Sequence, residues 1–249
     1  MLSFPLLRWL WVSAGVLVIG HVVTLVAEIH YGVSREYSVP RQFDLNGEAN
    51  LAAWFQSFLL LLCALATLAL ASHFRGREAP LSHRWVALSG LFALMAIDES
   101  AQLHDMFTGP LRRGLEIDFG VFYFAWLLPA VAFLAVCAWY FAPIAFSLPA
   151  AVYRRLIAAA GVYLGGAVVV EMLSGFAVES GRTSTPYLSV LTFEESCEIA
   201  GALLLVGALF TLLRTVQPRT TLELSGNGGT IGLGEAASLP THQRAERLP

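Results

Sequence analysis

The sequence predicts an all-α fold, a polytopic membrane bundle of about six transmembrane spans. Three observations predict it. Of 249 residues, 57% are hydrophobic and only 13% are charged, with a mean hydropathy of +0.66; soluble domains carry about 25% charged residues. Apolar stretches of about 18 residues or more read as membrane spans, and six of them can be placed. Six spans consume most of the chain and leave no room for a separate soluble domain.

In order, the expected spans are Leu7–His30, Leu51–His73, Trp85–Phe107, Val121–Ala142, Arg155–Val178 and Leu191–Arg214. The first is read as a retained span. Its apolar stretch runs from Arg8 to Glu28 without an A-x-A site, longer than a signal-peptide core of about 7–15 residues. Residues 1–215 therefore form the transmembrane domain, and the Thr-, Gly-, Ser- and Pro-rich tail 216–249 is expected to be disordered. Cys63, Cys137 and Cys197 fall in different spans without a C-x-x-C pair, so they are read as small apolar residues. A net charge of −3 without a long basic run argues against nucleic acid as a partner. No internal repeat is present.

All basic loop charges are arginines. One side carries Arg8, Arg75, Arg77, Arg84, Arg154, Arg155, Arg214 and Arg219, the other Arg35, Arg41, Arg112, Arg113 and Arg182. The excess on the first side predicts cytoplasmic termini by the positive-inside rule. Under this topology 14 of the 18 acidic residues lie on the outer side or in the outer halves of spans. That convergence is the main functional signal in the chain, and it survives inversion of the topology.

The stretch "AIDESAQLHD" (96–105) concentrates it. At about 100° per residue, Asp98, Gln102 and Asp105 share a stripe of roughly 60°, with Glu99 beside Gln102. His104 then points roughly 120° away from Asp98, so either it faces another neighbour or the helix unwinds near Leu103. Glu194, Glu195 and Glu198 share one sector of the sixth span, backed by Gly201. His21, Thr24 and Glu28 form a stripe in the first, and Glu171 pairs with Ser174 in the fifth. A charge at the bilayer centre costs about 2.5–3.5 kcal/mol on insertion scales, so Asp98, Glu171, Glu198 and His21 call for an explanation beyond the surface. In "FDLNGEANLAAW" (43–54), Asp44 and Asn46 are candidate helix caps with Glu48 in the first turn. Alternatively, this segment lids the site and lends Glu48 as a ligand.

Several carboxylates with a histidine suit a divalent metal such as Zn, Mn or Fe. On that reading Asp98, Glu99, His104 and Glu171 are the metal ligands, and Glu195 and Glu198 the catalytic acid/base groups. His21, Glu28, Asp44 and Glu48 are further polar-site candidates. The expected function is a metal-dependent, hydrolase-like membrane enzyme acting on a membrane lipid or amphiphile. H-E-x-x-H and E-x-x-H patterns are absent. Buried Asp, Glu and His also mark ion pathways, so a proton- or ion-coupled transporter is the alternative. An assembly or binding protein is the third.

"FDLNGEANLAAWFQS", "AIDESAQLHD" and "FEESCEIAG" resemble the signature stretches of a group of bacterial multi-pass membrane proteins without an assigned activity. The resemblance runs from about Phe43 to Gly201. It points to Asp44, Glu48, Trp54, Ser57, Asp98, Glu99 and His104 as residues of interest, and the expected location of the six-span chain is the inner membrane.

Overall fold

The structure, a computed structural model, describes residues 4–35, 38–75, 79–117 and 120–216. The tail beyond residue 216, and with it the expectation of disorder there, lies outside the described residues, as do Glu36, Glu78 and Asp118. Among the described residues there is no strand. Six helices are long and apolar enough to cross a membrane: Pro5–Tyr31, Leu51–Phe74, Pro80–Ala101, Leu127–Ser147, Ala150–Ser180 and Thr185–Val216. The chain is a six-span helical membrane bundle.

The helices are α1 (Phe4–Tyr31), the short α2 (Ser38–Gln42), α3 (Leu51–Phe74), α4 (Ala79–Ala101), α5 (Asp105–Leu115), α6 (Leu127–Ser147), α7 (Ala150–Leu164), α8 (Glu171–Ala177) and α9 (Thr185–Val216). A π-helical segment, Gly165–Val170, joins α7 to α8 within one span. The central element is α9, packed against α7, α3 and α1, while α3 pairs along its length with α4. Serine hydroxyls fasten that pair. Ser57, Ser82 and Ser89 donate to the carbonyls of Ala96, Ala71 and Ala64 at 2.5, 2.8 and 2.8 Å. In hydrocarbon such bonds and close packing replace the hydrophobic drive between helices. Gly201 allows the α7–α9 crossing, because a Cβ there would collide with the Tyr163 backbone. Gly166 does the same against the Glu194 carbonyl at 2.8 Å.

Several expected boundaries move. The third span is Pro80–Ala101 rather than Trp85–Phe107 and the fourth Leu127–Ser147 rather than Val121–Ala142, while the fifth begins at Ala150 rather than Arg155 and the sixth at Thr185 rather than Leu191. The third span stops early at a backbone break: Gln102 sits in the left-handed region at φ +44°. Asp105 therefore opens a separate helix, α5, on which Met106 and Phe107 are exposed beside Arg112 and Arg113. Such an amphipathic composition suits the boundary between headgroups and acyl chains. The capping expectation is also corrected. Neither Asp44 nor Asn46 starts α3; Asn50 accepts from the Ala53 amide at 2.9 Å and donates to the carbonyls of Asp44 and Arg41. One side chain thus closes both the helix and the loop before it, leaving Glu48 exposed outside the first turn.

Every described Asp and Glu lies at one end of the bundle or in the adjoining halves of its spans. Toward the opposite end the interior is filled by Leu70, Trp85, Leu209 and Leu212, each nearly inaccessible.

Candidate functional site

The site begins where α4 stops. The Gln102 amide donates back to the Asp98 carbonyl at 2.6 Å, and the left-handed turn carries His104 round to the same residue. One Asp98 carboxylate oxygen accepts the His104 backbone N–H at 2.9 Å, and the other meets His104 Nδ1 at 2.8 Å. With the carboxylate as acceptor, Nδ1 is the donor and Nε2 is left for other work. The nearest carboxylate to Nε2 is Asp105, at 3.9 Å. Of the two geometries open to a straight-helix reading, the unwound one is observed.

Trp126, at the start of α6, ties this pair to the fifth span. Its ring lies 4.6 Å from that of His104, centroid to centroid, and its indole N–H donates to Glu171 at 2.8 Å. Glu171 is buried and follows directly on the π-helical segment, a local distortion common at functional sites. One turn on, Ser174 donates to buried Glu194 of α9 at 2.5 Å. Deeper in the bundle, Gln56 of α3 donates to Glu198 at 3.3 Å. Glu99, Glu195 and Glu198 lie within electrostatic reach of one another, and Glu195 also of Asp44. A continuous set of carboxyl groups thus extends from His104 to the α3–α9 contact.

A second cluster closes the same end. His21 is fully buried: the Leu45 amide donates to its Nδ1 at 3.1 Å, which makes Nε2 the donor to Thr192, also at 3.1 Å. The Thr192 hydroxyl in turn donates to the Leu188 carbonyl at 2.7 Å. The Phe43 ring lies against Gly20, where a Cβ would collide with it. Arg35 bridges Glu28 at 2.5 Å and Asp44 at 3.1 Å. The "FDLNGEAN" segment is therefore clamped onto α1 and α9.

Outside the spans three groups are shifted. Burial opposes protonation of His104, but the hydrogen bond and charge of Asp98 outweigh it and raise its pKa. The Arg182 guanidinium beside the Tyr123 hydroxyl lowers the phenol, and the same contact raises Arg182.

The structure thus brings Asp98 and His104 together and sets Glu171 close by through Trp126. Glu99 lies within electrostatic reach of Asp98 and His104 as well as of Glu195 and Glu198. Both Asp98 oxygens are engaged by His104, and Glu171 by Trp126. Among the described residues, no three His, Cys, Asp or Glu side chains are gathered to hold a metal ion. Residues 9–213 match a family described as Domain of unknown function (DUF8692). The chain belongs to DUF8692. No curated protein and no solved structure matches it.

The DUF8692 match covers all six spans. Of the motif residues in this DUF8692 chain, Trp54 is exposed on the bundle surface and stacks on Phe58 at 5.6 Å. Ser57 bonds across to α4. Sequence reasoning passed over Trp126, Gln56, Arg35 and Tyr123. For Gln56 a signal existed, a lone amide inside the apolar run of α3. The others meet their partners only through the tertiary fold.

Proposed function

We propose that this chain is a hydrolase-like membrane enzyme that performs acid–base chemistry on the polar group of a lipid or amphiphile. The observation carrying this reading is the Asp98–His104 pair. A carboxylate on Nδ1 fixes the tautomer and aim of the imidazole, leaving Nε2 to take or give a proton. Glu171, held by Trp126, and the acid set Glu194, Glu195, Glu198 and Glu99 supply further proton-handling groups beside it. The apolar packing of the opposite halves supports a one-sided site over a path through the membrane. With the arginine excess at the other end, the site faces outward from a bacterial inner membrane, both termini being cytoplasmic.

In this reading His104 acts as general base toward a water or hydroxyl at the substrate's polar group, and Asp98 stabilises the imidazolium that forms. A metal-assisted version is the second reading, favoured by one feature: a carboxylate on one imidazole nitrogen is also the arrangement that orients the other toward Zn, Mn or Fe.

The test is turnover of a panel of acyl-ester and phosphoester amphiphiles by the purified chain, with elemental analysis of protein prepared without chelator. A substrate consumed by the wild type and spared by His104→Ala supports the enzyme. Near-stoichiometric metal that is lost in the same variant selects the metal-assisted form. No turnover across the panel counts against both.

A further inference from the structure

The acidic end also carries a cationic cluster that the proposed chemistry does not use. Tyr123 lies between the 3₁₀ turn Gly120–Phe122 and α6. The Arg112 guanidinium of α5 sits over its ring, 4.1 Å from the centroid, and Arg182 approaches at 5.7 Å with a 3.4 Å contact to the hydroxyl. Two like charges thus share one phenol, and among the described residues neither guanidinium forms an ion pair with a carboxylate. Arg112 Nε is buried with no hydrogen-bond partner. A buried, charged N–H without an acceptor is costly, and an anion supplies the missing acceptor.

A cleft of about 120 Å³ opens beside Arg182, lined also by Arg35, Asp44, Asn46 and Tyr187, with Leu188 and Leu191 as its apolar wall. Within it Arg35 is already neutralised by Glu28 and Asp44. Among the described residues Arg182 of the cleft has no carboxylate in ion-pair contact, and Asp105 acts on it through space. Tyr123 is three residues before Trp126, whose ring rests on His104. Tyr187 is two turns before Glu194 on α9. The cationic cluster therefore borders the acid–base site at the ends of the spans, and Leu188 and Leu191 give the cleft an apolar side on α9.

We propose that Arg112 and Arg182, joined across Tyr123, hold the anionic headgroup of an amphiphile and present its neighbouring bond to His104. Guanidinium forks suit phosphate or carboxylate oxygens. This rests on the enzymatic reading for the second half of its claim; the binding half stands alone.

The full chain in non-ionic detergent is titrated with dioctanoyl phosphatidate, dioctanoyl phosphatidylcholine and inorganic phosphate, with binding read by calorimetry. Phosphatidate is expected to bind at least ~10-fold tighter than either other probe, and Arg112→Ala and Arg182→Ala each to weaken it by ~10-fold or more. Arg182→Lys, which keeps the charge and loses the fork, serves where the alanine variant fails to fold and is expected to fall between. Phosphatidate that binds without being turned over separates failure of the chemistry from failure of the headgroup site. Unchanged binding in the arginine variants, or equal affinity for phosphatidylcholine, overturns the proposal. Inorganic phosphate binding as tightly as phosphatidate overturns the amphiphile assignment in favour of a soluble anion.

Discussion

Asp98 holds His104 with both of its oxygens, one on the backbone amide at 2.9 Å and one on Nδ1 at 2.8 Å. A single carboxylate therefore sets both the path of the chain and the direction of the imidazole. The grip is possible only because α4 ends at Ala101 and Gln102 turns left-handed.

This pair makes stability depend on pH in a defined direction. The pKa of His104 is raised in the fold by Asp98, against the effect of burial. The stabilising contact is fully present below the ordinary histidine value of about 6.5 and is lost as pH rises through the raised folded value. Thermal unfolding of the wild type is expected to show Tm falling across that window, and His104→Gln to flatten the fall. Asp98→Asn should lower the His104 pKa, read by NMR of the imidazole. A His104 titration unchanged in Asp98→Asn would contradict the assignment.

Glu171→Gln separates charge from architecture. Its amide oxygen still accepts the Trp126 indole N–H, so the melting temperature is expected to stay close to wild type while turnover falls sharply. Equal loss of stability and turnover would reduce Glu171 to a packing role.

His21→Ala tests the clamp over the acidic end. It strips the acceptor from the Leu45 amide and the donor from Thr192, and a buried group left unpaired costs about 1–3 kcal/mol. Limited proteolysis should then cut the 43–50 segment faster. Cleavage at the wild-type rate would contradict the clamp.

The glycines divide into two predicted classes. Gly201→Ala drives a methyl into the Tyr163 backbone, and overpacking of this kind costs about 1–3 kcal/mol. Gly15→Ala and Gly90→Ala meet nothing within 4 Å and should be neutral or stabilising by about 0.5–1 kcal/mol through the helix preference of alanine. Denaturant unfolding of the three variants gives the comparison directly.

Hydropathy made the six spans legible, because hydrocarbon selects long apolar runs whatever the tertiary contacts. One-sided acidity was legible for a similar reason, since it follows from alternating span direction. The Asp98–His104 contact was legible only as one of two geometries. The break falls at Gln102, and no glycine or proline stands there to announce it. Asn50 won the cap over Asp44 and Asn46 through loop carbonyls that only the folded segment brings to it. The Arg112–Tyr123–Arg182 cluster joins three separate segments, so no local spacing encodes it.

In the proposed function His104, aimed by Asp98, does chemistry on a membrane amphiphile. Its most direct test is mass spectrometry of a bacterial lipid extract before and after incubation with the wild-type chain in proteoliposomes, beside His104→Ala. At least one anionic lipid is expected to be consumed by the wild type, and ~100-fold or more slowly by the variant, the usual scale of a lost acid–base group. An unchanged lipid profile, or the same consumption by His104→Ala, would contradict this role of His104.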